Sequence, residues 1–184
     1  MITGPSGAGK GTLMKGLLER VTGLEVAVSA TTRLQREGEE DGREYWFLTE
    51  VDFARRVASG EFLEHVTYVS GKRYGTLRSE IDRIGLRGNA CVLELETRGA
   101  LAVRDEVPGA VTIFVTAPLA ELERRLRARA TESDGEIGER LALAQKQLQE
   151  ADEFDHVVLN DDVERATAEL TEIVERALHA AQVP

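Results

Sequence analysis

The sequence is short of cysteine, of basic charge and of long apolar runs, and each shortage closes off a class of protein. Cys91 is the only cysteine among 184 residues, so neither an intrachain disulfide nor a cysteine-built zinc site is available. It lies in the apolar run Asn89-Ala90-Cys91-Val92-Leu93, where a small buried core residue is expected rather than a nucleophile. His65, His156 and His179 share no ligand spacing and are assigned no chemistry. Lys and Arg number 23 against 33 Asp and Glu, a formal charge of −10 with a pI near 4.9. Such a surface argues against nucleic acid or anionic lipid as the main partner, since both need a basic footprint. A local arginine cluster can still bind a small anion. No apolar stretch is long enough to span a bilayer, and no signal peptide is expected. The expectation is a cytoplasmic protein with no membrane, nucleic-acid or protein partner implied.

What is present suits one globular domain. Hydrophobic residues make up 42% and charged residues 30%, an ordinary balance for a chain that buries a sizeable core. Lys10 to Arg20 reads as a helix with Leu13, Leu17 and Leu18 on one face. Further helices are expected at about 51–59, 77–86, 101–107, 119–130, 136–150 and 163–180. Strands are expected at 25–29, around 45–47, at 62–68, 90–95, 111–115 and 156–159, with a charged loop over 30–42. Strands alternating with helices predict an α/β fold with a parallel sheet covered by helices. The irregular stretch from Ser29 to Thr76 interrupts that alternation and reads as an inserted substrate-binding subdomain.

The strongest local signal is Gly4-Pro5-Ser6-Gly7-Ala8-Gly9-Lys10 at the start of a helix. The glycines permit positive φ and close backbone approach. Successive N–H groups and the helix N-terminus then cradle phosphates, and Lys10 reaches the β and γ oxygens of a triphosphate. A turn that merely caps a helix explains the glycines but not a cation at the positive end of the helix dipole. The residue after the lysine is Gly11, where a Ser or Thr usually holds Mg²⁺, and Thr12 follows. Gly11 carries no side-chain oxygen, so the metal of Mg·ATP keeps more water ligands, and Thr12 is placed to bond an inner phosphate. Only Met1-Ile2-Thr3 precede the loop, where a buried strand normally leads in. Either that strand is unusually short or a few native N-terminal residues are missing, and the second is expected.

A second set of motifs is more specific. Ser29-Ala30-Thr31-Thr32-Arg33-Leu34-Gln35-Arg36-Glu37-Gly38-Glu39 is followed by Tyr45-Trp46-Phe47, Gly60-Glu61-Phe62-Leu63-Glu64 and Tyr74-Gly75-Thr76. Together with the phosphate loop, and on to Asn160-Asp161-Asp162, this series resembles the guanylate kinase family over nearly the whole chain. The resemblance implies a P-loop NMP-kinase fold: a parallel sheet flanked by helices, an inserted small mixed acceptor-binding subdomain and a helical lid. It divides the single domain 1–184 into a core of 1–28, 77–125 and 142–184, a GMP-binding subdomain of 29–76 and a lid of 126–141.

The resemblance implies that Ser29, Arg33, Arg36, Tyr45 and Tyr74 surround the acceptor phosphate, and that Glu64, Thr76 and Glu96 meet guanine. The chemistry agrees. Arginines bind phosphate through forked, charge-assisted hydrogen bonds. One carboxylate can accept from both N1–H and N2–H₂ of guanine, whereas adenine would set a lone pair against it. Bland alternatives stand beside each residue: Arg33 and Arg36 could belong to a solvated charge run with Glu37, Glu39, Glu40 and Asp41, and Thr76 could cap the following helix. Gln35 and the Glu94–Glu96 pair depart from the family's usual proline and aspartates. Glu94 and Glu96, two apart on an expected strand, would share a face, and Glu94 could touch Mg²⁺ through water.

Arg125 and Arg129 are one helical turn apart, and Arg140 lies in the next helix. The resemblance makes these three the lid arginines that join Lys10 and Arg33 in stabilising the phosphoryl group in flight, as transfer chemistry requires. Arg124 and Arg127 are expected to pair with Glu121 and Glu123. The ATP-binding set is Gly4, Pro5, Ser6, Gly7, Ala8, Gly9, Lys10, Gly11 and Thr12, with Asn160 at the adenine, although a turn explains Asn160 nearly as well. The implied activity is Mg²⁺-assisted transfer from ATP to GMP and dGMP. A non-catalytic interaction module of the same family and a P-loop kinase for another phosphorylated acceptor are the competing readings.

Overall fold

Strand β1 is only Ile2–Thr3, and its pairing defines the first sheet. A computed structural model of the protein describes residues 1–68, 70–128 and 134–182. After β1 come α1 (Lys10–Arg20), β2 (Leu24–Val26), β3 (Ala30–Thr31), β4 (Trp46–Phe47), α2 (Glu50–Ala58), β5 (Phe62–Thr67) and β6 (Arg73–Leu77). Then follow α3 (Arg78–Leu86), β7 (Ala90–Val92), α4 (Thr97–Glu106), β8 (Ile113–Thr116), α5 (Leu119–Ala128) and α6 (Asp134–Gln149). A 3₁₀ turn at Ala151–Glu153 leads to β9 (His156–Leu159) and the closing helix α7 (Val163–Gln182).

These elements form two compact units, Met1–Thr22 with Leu95–Pro184, and Gly23–Glu94. In the first, β1, β8 and β9 make a parallel sheet in that order, with Ile2 opposite Ile113 and Phe114 opposite Val157. Ile113, Phe114 and Val115 are all buried, as a parallel strand covered on both faces requires. Helix α1 packs its Leu13 and Leu17 inward and lies against α7. The contact is close because Gly16 has no side chain: a Cβ there would stand 2.7 Å from the Thr167 methyl. Asp155 fixes the start of β9 by accepting from the Thr112 N–H and hydroxyl at 2.8 and 2.7 Å. The hydrogen bonds from Thr112 hold its carboxyl below the usual range.

In the second unit, β2 and β7 form a parallel pair, and β4, β3, β6 and β5 form a mixed sheet in that order. Ala30, Phe53, Phe62 and Leu77 are its buried cluster, with Trp46, Leu48 and Val57 packed against them. The Phe53 and Phe62 rings stack at 4.4 Å.

Several elements differ from expectation. Strand β3 lies inside the stretch 30–42 that reads as loop. Strand β6, Arg-Tyr-Gly-Thr-Leu, shows no apolar alternation and was not anticipated; pairing with β3 on one side and β5 on the other makes it a strand. Helix α4 starts at Thr97 rather than Leu101, because Thr97 and Ala100 are buried beside Val103. Strand β7 ends at Val92, so Glu94 and Glu96 do not share a strand face; Glu96 is instead the N-cap position of α4. Cys91 is half-buried rather than fully enclosed, yet burial still pushes its thiol up to about 11.

Candidate active site

The phosphate loop is shaped by contacts that only glycine permits. Gly4 has φ 139°, and a Cβ there would lie 2.0 Å from the carbonyl oxygen of Val115 in β8. Gly9 has φ 87° and forms the N-cap of α1, and a Cβ there would meet Asn160 Nδ2 at 2.4 Å. Lys10 opens α1 and folds back over the loop, its Nζ donating to the Gly4 carbonyl at 2.8 Å. Ala8 is fully buried, while Gly11 and Thr12 are exposed, and the direction a Gly11 side chain would take is open space.

Two side chains brace the loop. Asn160 is 1% exposed and donates from Nδ2 to the Ala8 carbonyl at 2.7 Å. Its Oδ1 is buried with no hydrogen-bond partner among the described residues. The structure thus places Asn160 beneath the loop, where its amide sets the loop's height. Arg125 donates from Nη1 to the carbonyls of Gly7 and Ala8, both at 3.3 Å, and from Nη2 to the Asn160 carbonyl at 3.0 Å. Glu121 aims that guanidinium by accepting from Arg125 Nε at 2.6 Å. Bonds from Arg124 and then Arg125 hold the Glu121 carboxyl at about 2, so it is ionised at any physiological pH. Arg124 therefore shares Glu121 with Arg125, and Arg127 pairs with Glu123 at 2.9 Å. Arg140 Nη1 reaches Ser6 Oγ at 3.4 Å. Arg129 lies outside the described residues.

The acceptor motifs gather in the second unit. Register sets Glu64 opposite Thr76 and Val66 opposite Tyr74, so Tyr74 and Thr76, two apart on β6, share one face. The Thr76 hydroxyl, 1% exposed, donates to Glu64 Oε1 at 2.9 Å. It does not cap α3, whose N-cap position is Leu77. Tyr74 meets the Tyr45 ring edge-on at 5.9 Å and the Tyr68 ring at 4.9 Å, and burial raises the Tyr45 phenol's pKa. Trp46 turns to the core while Tyr45 and Phe47 turn to Arg33, whose guanidinium lies 5.2 and 5.6 Å from their ring centres. Arg33 is far from a solvated charge: its side chain is 14% exposed and pairs with Glu39. Arg36 and Glu94 are exposed, and Ser29 is half-buried with its carbonyl accepting from Trp46 N–H at 2.9 Å.

Two residues here escaped the sequence. Glu39 was grouped with a charge run. Glu80, 3% exposed, accepts from the Val28 N–H at 2.9 Å and from Arg83 Nη2 and Nε at 2.9 and 3.0 Å. Arg83 also pairs with Glu25. Burial pushes the Glu80 carboxyl up, but the bonds from Arg83 and Val28 outweigh it and the net shift is down. The network pins the backbone directly before Ser29. The i,i+3 spacing of Glu80 and Arg83 was a visible signal for it.

A parallel sheet flanked by helices, a glycine loop with its lysine opening α1, and a separate mixed sheet define the P-loop fold of the nucleoside monophosphate kinases. A family model described as "Guanylate kinase" matches residues 1–177. The guanylate kinase of Rubrobacter xylanophilus is 47% identical over 177 residues, covering 96% of this chain and 92% of that one. That of Symbiobacterium thermophilum is 43% identical over 175 residues, covering 95% and 82%. The crystal structure of guanylate kinase from Anaplasma phagocytophilum superposes with a TM-score of 0.74 at 28% identity, covering all of this chain and 85% of that one. The chain belongs to the guanylate kinase family.

Proposed function

We propose that this chain transfers the γ-phosphoryl group of Mg·ATP to GMP and dGMP, giving ADP with GDP or dGDP. The observation that carries the reading is the face of β5 and β6 that presents Glu64 and Thr76 beside Tyr74, with Tyr45 and Arg33 packed on the same cluster. This arrangement supports a guanine end at Glu64 and Thr76 and a phosphate end at Tyr74, Tyr45 and Arg33. The Glu64 carboxylate accepts from N1–H and N2–H₂ of guanine, and Thr76 orients it from behind. Tyr74, Tyr45, Arg33, Arg36 and Ser29 take the 5′-phosphate, while Glu96 is assigned to the base as well. These groups address base and phosphate only, which GMP and dGMP share.

On the donor side, the N–H groups from Gly4 to Thr12 cradle the triphosphate, and Lys10 shifts from the Gly4 carbonyl onto the β and γ oxygens. Arg125, Arg129 and Arg140 neutralise the charge that builds on the moving group. Asn160 contributes by holding the loop at Ala8. The acceptor oxygen is already anionic, so no general base is required. The residues fit a metal that arrives on the triphosphate: Gly11 leaves room for its water ligands, and Glu94 is the one protein carboxylate assigned to that water shell. Bound this way, Mg²⁺ would neutralise phosphate charge. Subdomain 29–76 is assigned to GMP and segment 126–141 to the lid. No helix among the described residues is long and apolar enough to cross a membrane, in keeping with a cytoplasmic enzyme.

The test is ADP formation with GMP, dGMP, AMP, UMP and CMP in parallel. Turnover confined to GMP and dGMP is expected. Turnover only with AMP or a pyrimidine nucleotide would overturn the substrate, and ATP binding with no turnover on any acceptor would favour an interaction module.

A further inference from the structure

The acceptor arginines are held by a carboxylate that the reaction itself does not use. Arg36 to Glu39 form a tight turn, closed by the Glu39 N–H donating to the Arg36 carbonyl at 3.2 Å, with Gly38 at φ 84°. A side chain with a Cβ is strained at that φ, which is why glycine stands there. The turn swings Glu39 back onto Arg33. Its Oε1 accepts from Arg33 Nη2 at 2.7 Å and its Oε2 from Nη1 at 3.0 Å. The same Oε2 also accepts the backbone N–H of Arg36 at 2.8 Å. Arg33 Nη1 makes one more bond, to the Leu34 carbonyl at 2.7 Å, and its plane lies against Tyr45 and Phe47. The pair is mostly shielded, with side chains 14% and 17% exposed.

A guanidinium has two forked edges. The Nη1–Nη2 edge belongs to Glu39, and the Nε–Nη2 edge is the one a phosphate can take. Glu39 therefore fixes the plane of Arg33 through one edge and leaves the other outside its own grip, while the Tyr74 hydroxyl also bonds this guanidinium. Its own charge is balanced by the guanidinium and the Arg36 N–H, which limits its repulsion of a phosphate dianion. We infer that Glu39 is a positioning residue for the acceptor phosphate, holding the side chain of Arg33 in its binding geometry before the substrate arrives. This rests on the assignment of Arg33 and Arg36 to the phosphate of GMP. The opposite possibility is a carboxylate that occupies the phosphate's place and must be expelled, and it predicts the opposite sign.

Glu39→Gln keeps the shape and removes the charge. With Mg·ATP saturating, KM for GMP should rise about tenfold and kcat should stay within about threefold, the pattern of a lost pre-organising contact. Glu37→Gln removes the same charge from the same turn and should shift KM by less than about twofold. Calorimetry with GMP closes the cycle: Glu39→Gln should weaken binding about tenfold in the wild-type background and leave it unchanged beside Arg33→Ala. A purely structural role would weaken GMP binding in both backgrounds. Should Glu39→Gln fail to fold, Glu39→Asp, which retains the charge but shortens the reach, should raise KM in the same direction. A lowered or unmoved KM, an equal effect from Glu37→Gln, or an effect that survives in Arg33→Ala would overturn the inference. A wild-type chain that neither binds nor phosphorylates GMP would overturn the proposed function and this inference together, whereas wild-type turnover with an unmoved Glu39→Gln overturns this inference alone.

Discussion

On the proposed function, the phosphate loop and the acceptor cluster recognise the same chemical group with different materials. The loop is made of backbone: glycines at positive φ, a helix N-terminus, and carbonyls held from below by Asn160 and Arg125. The acceptor cluster is made of side chains, each held by another: Thr76 on Glu64, Glu39 on Arg33, Tyr74 between Tyr45 and Tyr68. A backbone cradle binds any polyphosphate and carries no base preference. Side-chain recognition costs more ordering but discriminates, because a ligand that leaves buried polar groups unpaired is rejected. The cradle itself is therefore damaged chiefly by changing the shape of the main chain, with Lys10 as the side chain that adds charge to it, whereas the acceptor side can be retuned one functional group at a time.

That contrast can be broken at its strongest point with Gly4→Ala. The new Cβ would sit 2.0 Å from the Val115 carbonyl at φ 139°, so the loop or β8 must move. A destabilisation of at least about 3 kcal/mol is expected, with transfer lost, measured by thermal unfolding and ADP release. Retained stability and activity would mean that the loop is not set by this contact. A smaller effect should follow Glu64→Gln on the acceptor side. Losing a charged acceptor for guanine should raise KM for GMP by about 10- to 100-fold and leave the melting temperature nearly unchanged. Selectivity against AMP should narrow, and an unaltered GMP-to-AMP ratio would take Glu64 out of base recognition.

What could be read in advance divides along the same line. The loop was legible because its information is local: glycine spacing, a lysine and a helix start within seven residues. Helix α1 and strand β9 were placed to the residue by periodicity and an apolar run. Strand β6 was not, since Arg73 to Leu77 show no apolar alternation and gain strand character only from pairing with β5 and the distant β3. Glu39 looked like one charge among several until the turn at Gly38 brought it onto Arg33. Asn160 was expected at the adenine, and its burial under Ala8 depends on the parallel pairing of β8 and β9. Glu94 and Glu96 were read as strand neighbours because nothing in their alternation reveals that β7 stops at Val92.

The division of labour between the two regions is tested most directly by Lys10→Ala, assayed for transfer and for GMP affinity on the same preparation. Phosphoryl transfer should fall by at least about 10³-fold, the scale of losing a cation that meets the transition-state charge. GMP affinity, measured calorimetrically without ATP, should stay within about twofold of wild type. Loss of GMP affinity in parallel with transfer would contradict the account.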